Sequence, residues 1–425
     1  MNGIETAFEA LLGQLPEGHY HMDALLRGAE FFEIEALELE KAAGELRLNH
    51  DLGYEGVRRL LALCIEEFED IFTDDGRVLC EITVPAPLCA LYALHSAAGD
   101  KIRFASSAFF AQIALRGIFL HREPLDPGSC AKRRCGLNKM RQLLMSRPPV
   151  KAYGYQLQFG VLCDECVKMG DGSCGGAESI SVSFPRGSWD RKLLEAGAEY
   201  FWLNCQERLG IKAESQHIRR AFALYARLMK AQNRLAELNR RPERRPLMGN
   251  SLALAQSVQL MSTPRAEKFI EAMELLCLEL EKTPEDTAST RYYAFYVPFM
   301  QPEVDRRFRE NGVYLVGGAA FLEGQRHLGL SIPGSIAAWL MSMSIRCGAV
   351  EQCRYIAEDM ARYGCSTYLT GSFAFDRWLG SATPLQAKLL AEQGIRTRTL
   401  ETDFWCENVM FGSVLSRIDH ICQKD

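Results

Sequence analysis

Apolar and polar positions alternate in four styles along the chain. Over 1–75 the apolar residues Leu25, Leu26, Phe32, Ile34, Leu37 and Leu39 recur at helical spacing, which predicts two or three helices. From 76 the text changes. The run 78–84 is strand-like and stops at Pro85, helical Ala/Leu text leads to Gly99, and 101–104 begins a second strand. Further short strands are predicted at 155–161 and 180–184. Strand and helix text alternating in this way predicts a parallel α/β domain over 76–190.

The segment 191–288 reads as almost wholly helical. Ile218, Phe222, Tyr225, Leu228 and Met229 keep one apolar stripe, and a second helical run spans 263–281. Between them the charged, proline-bounded run 240–246 breaks the helix and reads as a solvated loop. The last segment, 289–425, returns to α/β text. Strands are predicted at 292–297, closed by Pro298, at 313–316, ending in Gly317-Gly318, at 366–370, ending in Gly371, and at 396–400, ending in Glu401-Thr402-Asp403. Ligands of open α/β sheets sit at the carboxyl ends of the strands, so Pro298, Gly317, Gly371 and Glu401 are expected at one rim. No short-period repeat or low-complexity tract appears.

Composition narrows the class. Lys plus Arg is 49 and Asp plus Glu is 54, a net charge of −5. This near balance argues against a nucleic-acid-binding surface over the whole protein. No stretch reaches the roughly 18 apolar residues of a membrane span; the longest, 332–343, contains Pro333 and Ser335. The N-terminal text lacks the basic and apolar regions of a signal peptide. A cytoplasmic protein with no nucleic-acid or membrane partner is therefore expected. The 15 cysteines are too dilute for a disulfide scaffold, and in a reducing compartment they read as core residues, metal ligands or redox groups.

Five of them cluster: Cys130, Cys135, Cys163, Cys166 and Cys174, in the spacing C-x4-C-x27-C-x2-C-x7-C. Gly and polar neighbours put these thiols on loops, and nearby Arg and Lys favour thiolates. Thiolates suit iron–sulfur clusters and zinc. The alternatives are buried structural thiols and a structural zinc site. Cys64, Cys89, Cys205 and Cys277 lie in helical apolar text and read as core. Cys353, Cys406 and Cys422 have no close partner in sequence, while Cys347 and Cys365 stay open as distant ligands. No phosphate-binding G-x-x-x-x-G-K-[ST] loop occurs, and no G-x-G-x-x-G follows a strand. His19 and His21 read as an exposed turn. Glu401 and Asp403 could do acid/base work, orient a loop or cap the next helix.

Several of these stretches resemble the 2-hydroxyacyl-CoA dehydratase and benzoyl-CoA reductase family, which includes the double-cubane cluster proteins. Arg245-Pro246-Leu247-Met248-Gly249-Asn250-Ser251 is similar to its Pro-x-x-Gly-Ser turn, and Glu310-Asn311-Gly312-Val313-Tyr314-Leu315-Val316-Gly317 to its E-x-G-x-x-V-V-G strand. Gly394-Ile395 through Leu400-Glu401-Thr402-Asp403 resembles its G-I-P…I-E-T-D strand, and Ser416-Arg417-Ile418 its closing T-R-I-E-A-F. In the first half, Val84-Pro85 with Ala97-Ala98-Gly99, Cys130-x-x-x-Arg134 and Cys163-Asp164 resemble V-P…A-A-G, C-x-x-x-R-S and C-D. The order of these motifs carries the resemblance across most of 80–425.

The resemblance implies two flavodoxin-like parallel-sheet domains joined by a helical segment, here with a helical N-terminal extension. It implies an oxygen-sensitive [4Fe–4S] cluster on cysteine thiolates with an open iron position. It also implies an ATP-dependent activator protein that delivers one electron, and an acyl-CoA substrate dehydrated or reduced through a ketyl radical. The partner is a second dehydratase-like subunit, as a heterodimer, or a second copy of the chain. Cys130 and Cys163 are the leading ligand candidates, with Cys166, Cys135 and Cys174 competing for the remaining place. Arg134 is a candidate to support the cluster or an anionic ligand, with a surface role as the alternative. Where family members carry later cysteines, this chain has Phe321 and Phe375. Rival expectations are a non-catalytic partner subunit and an electron-transfer protein without an acyl-CoA substrate.

Overall fold

The computed structural model describes residues 2–18, 20–83, 85–122, 136–150, 152–160, 176–184, 190–257, 265–283, 290–294, 302–317, 331–343, 348–373, 377–402 and 411–423. Four helices open the chain: α1 (Asn2–Leu12), α2 (Met22–Phe32), α3 (Ala36–Asn49) and α4 (Glu55–Ile71). A capping box joining Glu35 and Glu38 starts α3. α4 is the most deeply set of the four. Leu60, Leu61, Cys64, Ile65 and Phe68 are all buried, and Phe68 packs with Phe32, Phe72 and Phe119.

The first sheet follows. It contains β1 (Val78–Ile82), β2 (Ile102–Ala105), β3 (Tyr155–Gly160) and β4 (Glu178–Ser183), all parallel, in the order β2-β1-β3-β4. α5 (Leu88–Ala98) crosses from β1 to β2, and α6 (Ser107–Gln112) continues into a π-helical turn (Ile113–Ile118). α7 (Gly136–Ser146) precedes β3. β1, β2 and β3 are buried nearly throughout, but apolar and polar residues alternate in β3 and β4, where Gln156 and Gln158 are buried as well.

Helices α8 (Arg191–Arg208), α9 (Ser215–Arg240), α10 (Gly249–Gln256) and α11 (Ala266–Glu281) form the middle of the chain. Asp190 caps α8 by accepting from the Lys192 and Leu193 N–H groups. The break at 240–246 falls where the sequence puts it, but it is not simply a solvated loop. Arg240 pairs with Asp359, Arg244 donates to the Leu280 carbonyl, and Arg245 pairs with Asp51. Arg291 donates to the carbonyls of Arg241, Pro242 and Arg244. The basic run is thus a joint between helices and the second sheet.

The second sheet has β5 (Thr290–Ala294), β6 (Val313–Gly317), β7 (Thr367–Phe373) and β8 (Arg396–Thr402), with α12 (Pro302–Glu310), α13 (Ile332–Ser342), α14 (Ala349–Tyr363), α15 (Arg377–Ala391) and α16 (Phe411–Gln423). Its order, β6-β5-β7-β8, is again all-parallel and repeats the first sheet's. Both match the first four strands of the flavodoxin-like order 2-1-3-4-5. All eight predicted strands are present, most shifted by a residue or two. α14 ends on Gly364, whose φ of +66° closes the helix into β7. α13 follows β6 in sequence, yet packs on α8 and α5 within the core around the first sheet.

Candidate functional site

In a sheet of order 2-1-3-4 the crossovers leave in opposite directions on either side of the first and third strands, which opens a crevice at their carboxyl ends. In the first sheet that crevice lies between β1 and β3. Thr83, just past β1, stitches its floor: its N–H donates to the Leu157 carbonyl at 2.9 Å, and its hydroxyl accepts from the Phe159 N–H at 2.8 Å.

Beside it, Glu81 on β1 is buried. Its carboxylate accepts from the Ser107 N–H at 2.9 Å and the Ala108 N–H at 3.2 Å, the first turn of α6. The α6 dipole and these donors favour the anion. Arg141 of α7, also buried, holds its Nε 3.9 Å from Oε1. Burial nonetheless raises the Glu81 carboxyl above the usual range, and Arg141 and the amide donors only partly offset it. Gln112 donates to the Gly136 carbonyl at 3.1 Å, which ties the end of α6 to the start of α7. Sequence reasoning missed this group, because a lone Glu inside an apolar strand carries no spacing signal.

The second sheet presents the equivalent edge. Gly317, at the end of β6, has a φ of +99°, and a Cβ there would meet the Tyr293 ring at 2.6 Å and the Ala294 carbonyl at 2.7 Å. Only glycine fits. Gln256, the last residue of α10, donates to the Gly317 carbonyl. Gly317 pairs with Ala294, Ala294 with Leu369, and Gly371 with Leu400. Gly317, Gly371 and Glu401 therefore lie near the carboxyl ends of parallel strands on one rim, with β7 running on to Phe373 and β8 to Thr402, while Pro298 lies outside the described residues.

The predicted ligands Cys130, Cys135, Cys163, Cys166 and Cys174 all lie outside the described residues, as do Arg134, Asp403, Phe321 and Phe375. Of Glu401 only the backbone is described, opposite Ser372 in β8. In sequence, residues 161–175 follow β3 and 123–135 precede α7.

The described cysteines do not suit a cluster. Cys64, Cys80, Cys89, Cys205, Cys277 and Cys353 are buried. Burial pushes the Cys89 and Cys277 thiols up to about 12, and those of Cys64, Cys80 and Cys205 well above their usual range. Cys365 precedes β7, at the edge opposite the rim, and burial holds its thiol at about 12. It does not converge with the others; Cys347 lies outside the described residues. Among the described residues no group of three His, Cys, Asp or Glu side chains could hold a metal ion.

Two doubly covered parallel sheets of one order, each with a carboxyl-end crevice, define a tandem flavodoxin-like α/β protein. The chain matches the family described as 2-hydroxyglutaryl-CoA dehydratase, D-component, over residues 156–422, and it belongs to that family. The match begins in β3 and ends in α16. It takes in Cys163, Cys166, Cys174, Glu401 and Asp403, and it leaves out Cys130, Arg134 and Cys135. No curated protein matches the chain. The family is that of a dehydratase component, and no helix among the described residues is long and apolar enough to cross a membrane.

Proposed function

We propose that the chain is the iron–sulfur subunit of a 2-hydroxyacyl-CoA dehydratase-like or related reductase system. The observation that carries this reading is that the family match spans the 161–175 segment, with its three cysteines, directly after β3 at a carboxyl-end crevice. Cys130 and Cys163, with one of Cys166, Cys135 and Cys174, would hold a [4Fe–4S] cluster by three thiolates and leave one iron position open. When bound, such a cluster supplies single electrons and a Lewis-acidic iron, chemistry that no amino-acid side chain offers.

The chain's own groups supply the rest. Glu401 and Asp403 are the candidates to hold or move a proton at the second rim, and Arg134 to receive an anionic group. Without a P-loop, ATP hydrolysis falls to a separate activator protein. The substrate class is an acyl-CoA thioester, and the setting is the cytoplasm.

A second reading has its own observation. Phe321 and Phe375 stand where the family resemblance leads one to expect cysteine, which favours a non-catalytic partner subunit. Anaerobic metal analysis with an electron paramagnetic resonance spectrum separates the two. About four irons per chain with a cluster signal, lost in Cys163→Ser and retained in Cys277→Ser, supports the first. Iron-free protein, or equal iron in both variants, overturns it. Oxidation of the reduced cluster by an acyl-CoA then distinguishes an enzyme from an electron carrier.

A further inference from the structure

A small cavity lies where the N-terminal helices meet the start of α10. It measures about 10 Å³, the room of a single water. His50 just past α3, Leu61 of α4, Asn250 and Leu254 of α10, and three residues of the π-helical turn line it, all of them buried. The turn itself is marked by the Phe119 N–H, which reaches back five residues to the Ala114 carbonyl at 2.7 Å. Such turns are rare and recur at functional sites.

Two of the lining side chains each have one buried atom without a partner. His50 is 4% exposed, and its Nε2 lies 3.2 Å from the Gly117 carbonyl. A carbonyl only accepts, so Nε2 carries the hydrogen and Nδ1 is left with a lone pair. Burial lowers the His50 pKa to about 4, which keeps the ring neutral and Nδ1 an acceptor at neutral pH. Nδ1 makes no hydrogen bond among the described residues. Asn250, also 4% exposed, is oriented in the same way. Its Nδ2 donates to the Asn49 carbonyl at 3.3 Å, which turns Oδ1 to the other side, and Oδ1 is buried with no hydrogen bond. Buried polar atoms are otherwise met by protein groups or by ordered water, because leaving them unmet is costly.

We propose that this cavity is a binding site for one water molecule, which donates one O–H to His50 Nδ1 and the other to Asn250 Oδ1. The two unmet atoms are both acceptors, so an anion is refused and a donor is required. An apolar guest would leave both unpaired. A monovalent cation would need a carboxylate to balance it, and the two at this joint are taken. Asp51 holds the Met248 N–H and Arg245, and Asp305 holds the Gly249 N–H and Arg309. The water completes one chain of hydrogen bonds, from the Gly117 carbonyl through His50 and Asn250 to the Asn49 carbonyl. It thereby ties the π-helical turn, the end of α3 and the first turn of α10 together. The site is independent of the proposed reaction, since neither iron nor turnover enters its test.

A high-resolution crystal structure of the full chain, purified anaerobically and crystallised from a rubidium salt, tests it without any substitution. One ordered water is expected at about 2.7–3.2 Å from both His50 Nδ1 and Asn250 Oδ1, with no anomalous signal at that point. In solution, oxygen-17 relaxation dispersion should count one slowly exchanging water fewer in Asn250→Leu and in His50→Phe than in wild type. The two variants should also be coupled in urea unfolding. The double variant should lose less than the sum of the single losses, because replacing both partners leaves no acceptor unmet. A dry or closed cavity in the crystal, a rubidium peak within it, an unchanged water count in both variants, or additive losses would each overturn the proposal.

Discussion

Around β1–β4 the buried apolar residues belong to one continuous core that runs from Ala7 through the helices of the middle segment to Met343. Around β5–β8 they divide into two small clusters, one on each face of the sheet. Tyr292, Leu315, Leu369 and Leu400 line one face with Phe308 and Ile418. Tyr293, Val316 and Tyr368 line the other with Ile356 and Met360. What joins the second sheet to the rest is polar. Asp51 accepts from the Met248 N–H at 2.8 Å, and Asp305 of α12 accepts from the Gly249 N–H at 2.9 Å, so two buried carboxylates meet the start of α10. Arg309 bonds Asp305 and the Leu48 carbonyl, and Arg306 pairs with Glu45. The same strand order is therefore stabilised in two ways: by breadth of apolar contact in the first sheet, and by a few buried hydrogen-bonded charges at the joint of the second.

The sharpest way to break this comparison is Asp305→Ala. It leaves the Gly249 N–H and the Arg309 guanidinium without their carboxylate in a buried site, a loss of about 3–5 kcal/mol. Urea unfolding followed by tyrosine fluorescence and by hydrogen exchange should then split into two transitions, with β5–β8 released first. Leu60→Ala, in the continuous core, costs a similar ~2–5 kcal/mol but should lower one cooperative transition. A single transition in both variants would show that the polar joint does not set the stability of the second sheet.

Acid should act on the first side of the joint. His50 is buried, its Nε2–H donates to the Gly117 carbonyl at 3.2 Å, and burial lowers its pKa to about 4 from 6.5, with Arg309 adding to the fall. A folded-state pKa below the unfolded one means that the unfolded chain binds the extra proton. The stability is thus full above about pH 6.5 and is lost as the pH falls towards 4. At pH 5 this amounts to about 2 kcal/mol. Asp51 and Asp305, which face the same joint, have raised pKa values and gain protons in the fold, so they oppose the loss. His50→Gln should therefore flatten the decline of stability between pH 6.5 and 5. An unchanged pH profile in that variant would remove His50 from the account.

Periodicity made the eight strands and the helical segments legible, some strands as short apolar runs such as 313–316 and others as alternations such as 155–159. The glycines of the two family-like strand motifs turn out to be turn residues: Gly312 leads into β6 and Gly394 into β8, at φ values of +75° and +77°. The joint was not legible. Asp51, Asp305 and Arg309 look like surface charges in sequence, since nothing local records that they bond residues 197, 56 and 261 positions away. Nor does the apolar text of α13 say which core it enters. The candidate site was legible as chemistry, through cysteine spacing, but its supporting carboxylate Glu81 was hidden within strand text.

The smallest effect sharpens the comparison most. α9 and α11 are bridged by Arg220–Glu267, Arg227–Glu274 and Arg234–Glu281, at 3.2, 2.8 and 2.7 Å. Each pair spans the same sequence separation of 47, so the helices run parallel and in register. The pairs raise the Arg227 and Arg234 pKa values mainly through hydrogen bonds to the glutamates. Their side chains are 37–64% exposed, so water and salt screen them. Arg227→Gln should cost only roughly 0.2–1 kcal/mol, and less still in molar salt. Ion pairing as such is common to this ladder and to Asp305–Arg309; burial is the difference. If Arg227→Gln destabilised the chain as much as Asp305→Ala, the stability of the joint would have to come from charge alone. If it costs a fraction as much, the second sheet is held by the desolvation of a few hydrogen-bonded charges, and the helical segment by the apolar faces beneath its ladder.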